Sequence, residues 1–191
     1  MGKEVLEEMK IVLDAGHGYQ TKGKRSPNGM QEYEFNRAVA GYVKQILTKD
    51  EQCEVYFTHS DERDVPLSER VYLANSLGAN LFVSIHANAF GDGSWSTPGG
   101  IETYVHSSKP KTALSLAAKL QERLIAKTGL ANRGVKAANF QVLRATKCPA
   151  ILLELGFMTN EKEAHLLKTE SYRKDCATAI AQGIREHFTL R

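Results

Sequence analysis

Four residues carry the chemistry legible in this sequence: His17, Glu32, His86 and Glu154. Two histidines and one carboxylate are the donor set of a zinc site that keeps an open position for water. Imidazole nitrogen and carboxylate oxygen suit a borderline divalent cation, and water bound at an open position loses a proton near neutral pH. A second carboxylate close to such an ion, but not on it, can take a proton from attacking water and pass it to a leaving nitrogen. Each residue also has a structural reading. His17 in GHG reads as a turn residue, His86 as a satisfied core histidine, and Glu154 as a buried partner of Arg133 or Arg144. Glu32 or Glu34 reads as a helix-start acid favoured by the helix dipole. The intervals between these residues are too long for a local motif such as H-E-x-x-H.

What must position them is a set of strands and helices in alternation. The apolar run Ile11–Leu13 ends at Asp14, and the turn GHG follows. Glycines on both sides of His17 allow a sharp turn that leaves its ring exposed. Residues 10–14, 53–58, 81–86, 101–106, 140–144 and 150–155 read as strands. LFVSIH at 81–86 has the continuous apolar character of a strand buried on both faces. Helical spacing of apolar residues marks 32–48, with Phe35, Val39, Val43 and Leu47, as well as 110–128 and 170–188. Pro66 suits the first turn of a further helix ending at Gly78. Asn160 with Glu163 reads as a capping box opening another. The fold class is therefore α/β, a single domain with a mostly parallel twisted sheet of about six strands flanked by about five helices. In such sheets ligands bind beyond the carboxyl ends of the strands, where His17, His86 and Glu154 fall and to which the helix opened by Glu32 returns. The longest connection, Asn88 to Gly100, reads as a functional loop.

The chain of 191 residues is 42% hydrophobic and 25% charged, ordinary for one domain with a real core. No apolar run approaches the length of a membrane span. MGKEVLEEMK is too acidic and polar for a secretory signal. Residues 1–8 are therefore read as an N-terminal extension of the domain over 9–191, with Met9 a candidate original start. The net charge of +3 fits a polyanionic partner, nucleic acid or an acidic envelope polymer. No dense basic cluster supports nucleic acid, since the longest, TKGKR, is a loop. Cys53, Cys148 and Cys176 form no Cys-x-x-Cys pair, which argues against a disulfide framework and a thiolate zinc site; they read as small buried residues.

The segments IVLDAGHG, EYEFN, SIHANA, GGIETY, NRGVK, VLR, PAILLELGFMTN and a final A-x-A-I-A-x-G-I occur in this order over residues 9–188. Together they resemble the zinc-dependent N-acetylmuramoyl-L-alanine amidases, the Amidase_3 family of bacterial autolysins and phage endolysins. The resemblance implies Zn2+ held by His17, Glu32 and His86, with Glu154 as the catalytic glutamate. Glu32 is preferred to Glu34 because the family's glutamate-to-asparagine spacing falls on Glu32 and Asn36. It implies cleavage of the amide between N-acetylmuramic acid and L-alanine in peptidoglycan, outside the membrane at the cell wall; a monomer is the default, and the net charge suits anionic wall polymers as further partners. The lysine-rich YQTKGKR departs from the family's usual GHGG and leaves that loop's substrate contacts open.

Asn88, Trp95 and Arg133 are candidate substrate-binding residues. Trp95 either stacks on a sugar ring or anchors its loop. Asp14 either orients a ligand histidine or caps the turn. His59, His106, His165 and His187 match no ligand position. Two other readings stay open: a peptidase or deacylase, since such a donor set serves peptidases too, and a non-enzymatic envelope-binding module. A serine triad is disfavoured because Ser84 and His86 share one face of a strand and form no nucleophile elbow; Cys148 has no evident base.

Overall fold

The computed structural model describes residues 8–190. All but the last residue of the extension read over 1–8 lies outside the described residues. In chain order the elements are β1 (Met9–Ala15), α1 (Glu32–Leu47), β2 (Cys53–Phe57), α2 (Leu67–Ser76), β3 (Leu81–Asn88), β4 (Ile101–His106), α3 (Lys111–Thr128), β5 (Asn132–Ala138), α4 (Gln141–Ala145), β6 (Ala150–Phe157), α5 (Glu161–Lys168) and α6 (Glu170–Phe188). The six strands form one sheet in the order β2-β1-β3-β6-β4-β5. Every pairing is parallel except β4 against β6, so the sheet is mixed and mostly parallel.

The two faces of the sheet are unequal, and that inequality makes the site. Ile11, Leu13, Val83, Ile85, Ile151 and Leu153 point to one face. There they pack on Phe35, Val39 and Val43 of α1, on Leu116 and Leu120 of α3, and on Ile180 and Ile184 of α6. The alternate residues Val12, Phe82, Ala150 and Leu152 point to the other face and meet Val71 and Ala74 of α2 and Val142 and Leu143 of α4, with the partly buried Tyr56, Leu77, Ala79, Tyr104 and Cys148 around them. These two short helices cover the lower part of that face. Further toward the strand ends the same alternation continues as Asp14 in β1, Ser84 and His86 in β3, and Glu154 in β6. Asp14 is in register with Ser84, and His86 with Glu154. Polar side chains thus begin where the helical cover stops.

Two elements differ from the sequence reading. Residues 140–144, expected as a strand, form the short helix α4, with Val142 and Leu143 buried. Five residues are too few for periodicity to separate a buried strand from a buried turn of helix. The sixth strand is instead β5, a half-exposed edge strand of sequence NRGVKAA that shows no apolar alternation. The helices among the described residues therefore number six, one more than expected. The capping box at Asn160 is half formed. The Asn160 side chain accepts from the Glu163 N–H at 3.2 Å, whereas the Glu163 carboxylate takes the N–H groups of Gly100 and Phe157, each at 2.7 Å, and so ties down the end of the 88–100 loop.

Candidate metal centre and active site

Glu32 opens α1 and is 3% exposed. Its Oε2 lies 3.2 Å from His17 Nε2 and its Oε1 lies 2.9 Å from His86 Nδ1. Oε1 also accepts from the Ala87 N–H at 3.2 Å and the Asn36 side chain at 3.3 Å. The donor atoms of His17, Glu32 and His86 all lie within 4.8 Å of one another. Donors about 2.1 Å from one tetrahedral ion sit roughly 3.4 Å apart, so this donor set fits a zinc-sized cation. Glu34, the rival carboxylate, faces away and pairs with Arg173 at 3.0 Å. His59, His106, His165 and His187 join no comparable cluster among the described residues.

Burial works to raise the Glu32 carboxyl, but the hydrogen bonds from His17 and His86 override it and hold the group well below the usual carboxylate range. Burial likewise works to lower His86, yet the bond and charge of Glu32 leave it raised. A cation entering here therefore competes with a proton on His86 for the same nitrogen.

The turn that presents His17 is made differently from the sequence expectation. His17 itself takes the left-handed conformation, with φ 65°. The glycines serve close approach instead. A Cβ on Gly16 would collide with the His86 ring, and one on Gly18 with the Asp64 carboxylate.

Glu154 stands beside His86 on the neighbouring strand. Its Oε2 is buried with no hydrogen-bond partner among the described residues. Neither arginine considered for it serves it: Arg144 binds Asn139 at 3.0 Å, and Arg133 pairs with Glu102. Burial pushes the Glu154 carboxyl up to about 8, with the charges of Glu32 and Glu102 adding to the effect and His86 and Lys24 opposing it. A buried carboxylate without a partner is costly. One next to an array of metal donors is a candidate proton acceptor.

Glu102, missed by the sequence reading, occupies the position on β4 opposite Glu154. It is 2% exposed. Around it gather Arg133, Lys136 at 2.7 Å, Tyr104 at 2.6 Å and Asn88 at 3.3 Å. The signal was a carboxylate inside the alternating strand IETYVH. The structure thus brings Asn88 and Arg133 to one cluster, with the Arg133 guanidinium 5.0 Å above the Phe157 ring. Trp95 lies apart in the 88–100 loop and is 43% exposed. That loop is held by hydrogen bonds, among them Ser96 N–H on the Thr159 carbonyl at 2.7 Å and the Asn160 side chain on the Thr97 carbonyl at 3.1 Å. His17, His86 and Glu154 line a cavity of about 630 Å³, whose walls also include Lys24, Asp64 and the apolar Phe140 and Leu152.

Known proteins match this chain over nearly its whole length. The Amidase_3 family, described as N-acetylmuramoyl-L-alanine amidase, matches residues 11–186. The endolysin of Bacillus phage SPP1 is 38% identical, covering 95% of this chain and 66% of its own length. The sporulation-specific N-acetylmuramoyl-L-alanine amidase of Bacillus subtilis is 33% identical over 96% of this chain and 69% of its own. Among solved structures, the catalytic domain of CwlV, an N-acetylmuramoyl-L-alanine amidase from Bacillus (Paenibacillus) polymyxa var. colistinus, superposes with a TM-score of 0.88 at 37% identity. That match covers 96% of this chain and 99% of the other.

Proposed function

The chain belongs to the N-acetylmuramoyl-L-alanine amidase family, and from that premise we propose that it hydrolyses the muramoyl–alanine amide of peptidoglycan as a zinc enzyme, with Glu154 moving the proton. The observation that carries the reading is the meeting of His17, Glu32 and His86 beside a buried carboxylate oxygen that has no partner. Zinc, when bound, supplies Lewis acidity toward the amide carbonyl and toward water.

The chain's own residues do the rest. His17, Glu32 and His86 would hold the ion. Glu154 accepts the proton of the attacking water at its free Oε2 and then donates it to the nitrogen of L-alanine as the C–N bond breaks. A carboxyl raised toward neutrality suits both halves of that transfer. Arg133 and Lys136 together carry two positive charges against the single charge of Glu102, and the surplus suits a carboxylate of the stem peptide. Asn88, tied to Glu102, lines the same side. All of these residues come from one chain, so a monomer suffices. No helix among the described residues is long and apolar enough to cross a membrane. The substrate puts the site of action at the wall, outside the membrane, where the chain's excess positive charge suits anionic wall polymers.

The test is mass spectrometry of purified peptidoglycan after incubation with zinc-loaded protein. Stem peptides with free L-alanine amino termini, alongside glycan strands with bare lactyl groups, are expected. Peptides cut elsewhere, with muramoyl–alanine bonds intact, would replace the amidase with a peptidase.

Trp95, like Phe90, is an exposed aromatic of the 88–100 loop, and that loop is held by hydrogen bonds to Thr159, Asn160 and Glu163. Trp95 is proposed as a platform for a sugar ring. Trp95→Ala is therefore expected to slow lysis of whole walls several-fold, by the loss of roughly 1 kcal/mol of contact, and to leave the melting temperature unchanged. Equal loss of both in parallel lysis and melting measurements would make it an anchor instead.

A further inference from the structure

We propose that a buried network centred on Asp14 presets both histidines of the metal centre: through Ser84 it selects the His86 nitrogen that faces Glu32, and through Arg70 it holds the turn that presents His17. This rests on the reading of His17, Glu32 and His86 as the metal ligands.

Asp14 is 1% exposed at the carboxyl end of β1. Its Oδ2 accepts the Ser84 hydroxyl at 2.6 Å, and its Oδ1 accepts Arg70 Nη1 at 2.8 Å and the Thr58 hydroxyl as well. Burial works to raise this carboxyl, and the charge of Arg70 with the two hydroxyls overcomes it, so Asp14 is ionised and can only accept. A serine hydroxyl has one proton to give. Here it goes to Asp14, and the same oxygen can then only accept from His86 Nε2, 3.1 Å away. Nε2 must carry the hydrogen. The other nitrogen is then the one left for the ion. That nitrogen is Nδ1, the one 2.9 Å from Glu32. The chain Nε2–H to Ser84 to Asp14 therefore leaves Nδ1, hydrogen-bonded to Glu32, as the nitrogen that yields its proton to an entering cation. The opposite direction, with Ser84 donating to Nε2, would leave an ionised Asp14 oxygen without its donor.

The second arm runs through Arg70, which is 2% exposed. Besides Asp14 it donates to the carbonyls of Ala15 at 2.6 Å, His17 at 2.6 Å and Val65 at 2.8 Å. His17 is a non-glycine residue in the left-handed region, a conformation that side chains disfavour. The bond from Arg70 to its carbonyl fixes that turn. Only a planar fork with five donors reaches all four oxygens, which lysine cannot do. Asp14, Ser84 and Arg70 are positioning residues: Ser84 touches His86 only on the side away from Glu32, and Arg70 touches only backbone at His17.

The test reads zinc affinity by competition with a chromophoric chelator. It also reads the ring-nitrogen resonances of His86 in zinc-free protein. Ser84→Ala is expected to weaken zinc binding about 10–100-fold, the usual effect of removing a ligand's outer partner, and to replace the Nε2–H pattern of His86 by one in which Nε2 is partly bare. Ser84→Thr keeps the hydroxyl at a residue that lines the cavity, so affinity and pattern should both return. Arg70→Lys should lose about tenfold in affinity with the Nε2–H pattern kept. Wild-type affinity together with an unchanged pattern in Ser84→Ala would overturn the Ser84 arm, and wild-type affinity in Arg70→Lys would overturn the other. A wild-type protein that binds no zinc would sink the metal reading itself. Even then a wild-type His86 whose Nε2 is bare would overturn the network, and one whose Nε2 carries a proton would support it.

Discussion

Glu154→Gln is expected to lower turnover on purified peptidoglycan by about 10³-fold, the scale of a lost general acid–base group, while zinc stays bound. Glutamine keeps the shape of the side chain on β6 beside His86. It has no lone pair basic enough to take a proton from water and no proton acidic enough to give to a leaving amine. Stability should not fall with activity. The carboxylate oxygen lost is buried and unpartnered, so a neutral amide there removes a desolvation cost rather than a bond. Zinc content by mass spectrometry, peptide release and a thermal melt on one preparation decide the matter. A variant that still releases stem peptides at the wild-type rate would remove Glu154 from the mechanism.

The same pair of proteins carries a pH signature in the zinc-free state. Burial raises the folded Glu154 carboxyl from an ordinary 4.5 to about 8. The groups that act on it are His86 on β3, Glu32 on α1, Glu102 on β4 and Lys24 in the loop after β1. Below the unfolded value both states hold the proton, and the contribution to stability is complete. As pH rises toward 8 the unfolded chain has released its proton and the folded chain has not, so stability drains away. The zinc-free wild type should therefore lose melting temperature relative to Glu154→Gln between about pH 4.5 and 8. A cation bound at the neighbouring donors favours the charged carboxylate, so zinc should flatten that difference. Parallel curves for the two zinc-free proteins would contradict the raised carboxyl.

The legible part of this molecule was the part written in strong local signals. β1, β3 and β6 are dense apolar runs bounded by turn residues, and α1, α3 and α6 are long amphipathic segments; their positions were readable because period and length agree. α4 and β5 were not. Val142 and Leu143 are adjacent buried residues in a five-residue helix, too short to show a period. β5 is a polar edge strand whose place comes from pairing with β4, a tertiary fact. At the site, the polar residues at strand ends stood out singly, and which of them meet depends on register. Ser84 was visible beside His86 and was weighed only as a nucleophile. Its actual partner, Asp14, is seventy positions away. Arg70 lies in α2 with nothing in its surroundings to mark it, and its role rests on carbonyls that the sequence does not display.

Glu32→Gln is expected to remove zinc from the protein at ordinary concentrations, with a loss in affinity beyond the 10–100-fold that an outer partner costs, and hydrolysis should disappear with it. The carboxylate is the element the two histidines share. Its two oxygens face His17 Nε2 at 3.2 Å and His86 Nδ1 at 2.9 Å, and it is the only anion among the three donors. Glutamine preserves an oxygen for the Ala87 N–H and so keeps the fold, but it offers a neutral, weaker ligand. Glu34→Gln is the matched control, because it sits two residues away in the same first helical turn. Glu34 is exposed and its ion pair with Arg173 reaches the surface, where such pairs contribute at most about 1 kcal/mol. It should bind zinc and cut walls as the wild type does. Zinc titration and peptide release on both variants separate the two glutamates. If Glu34→Gln lost the metal and Glu32→Gln kept it, the ligand set drawn here would be wrong at that position; if both kept it, the two histidines alone would hold the ion.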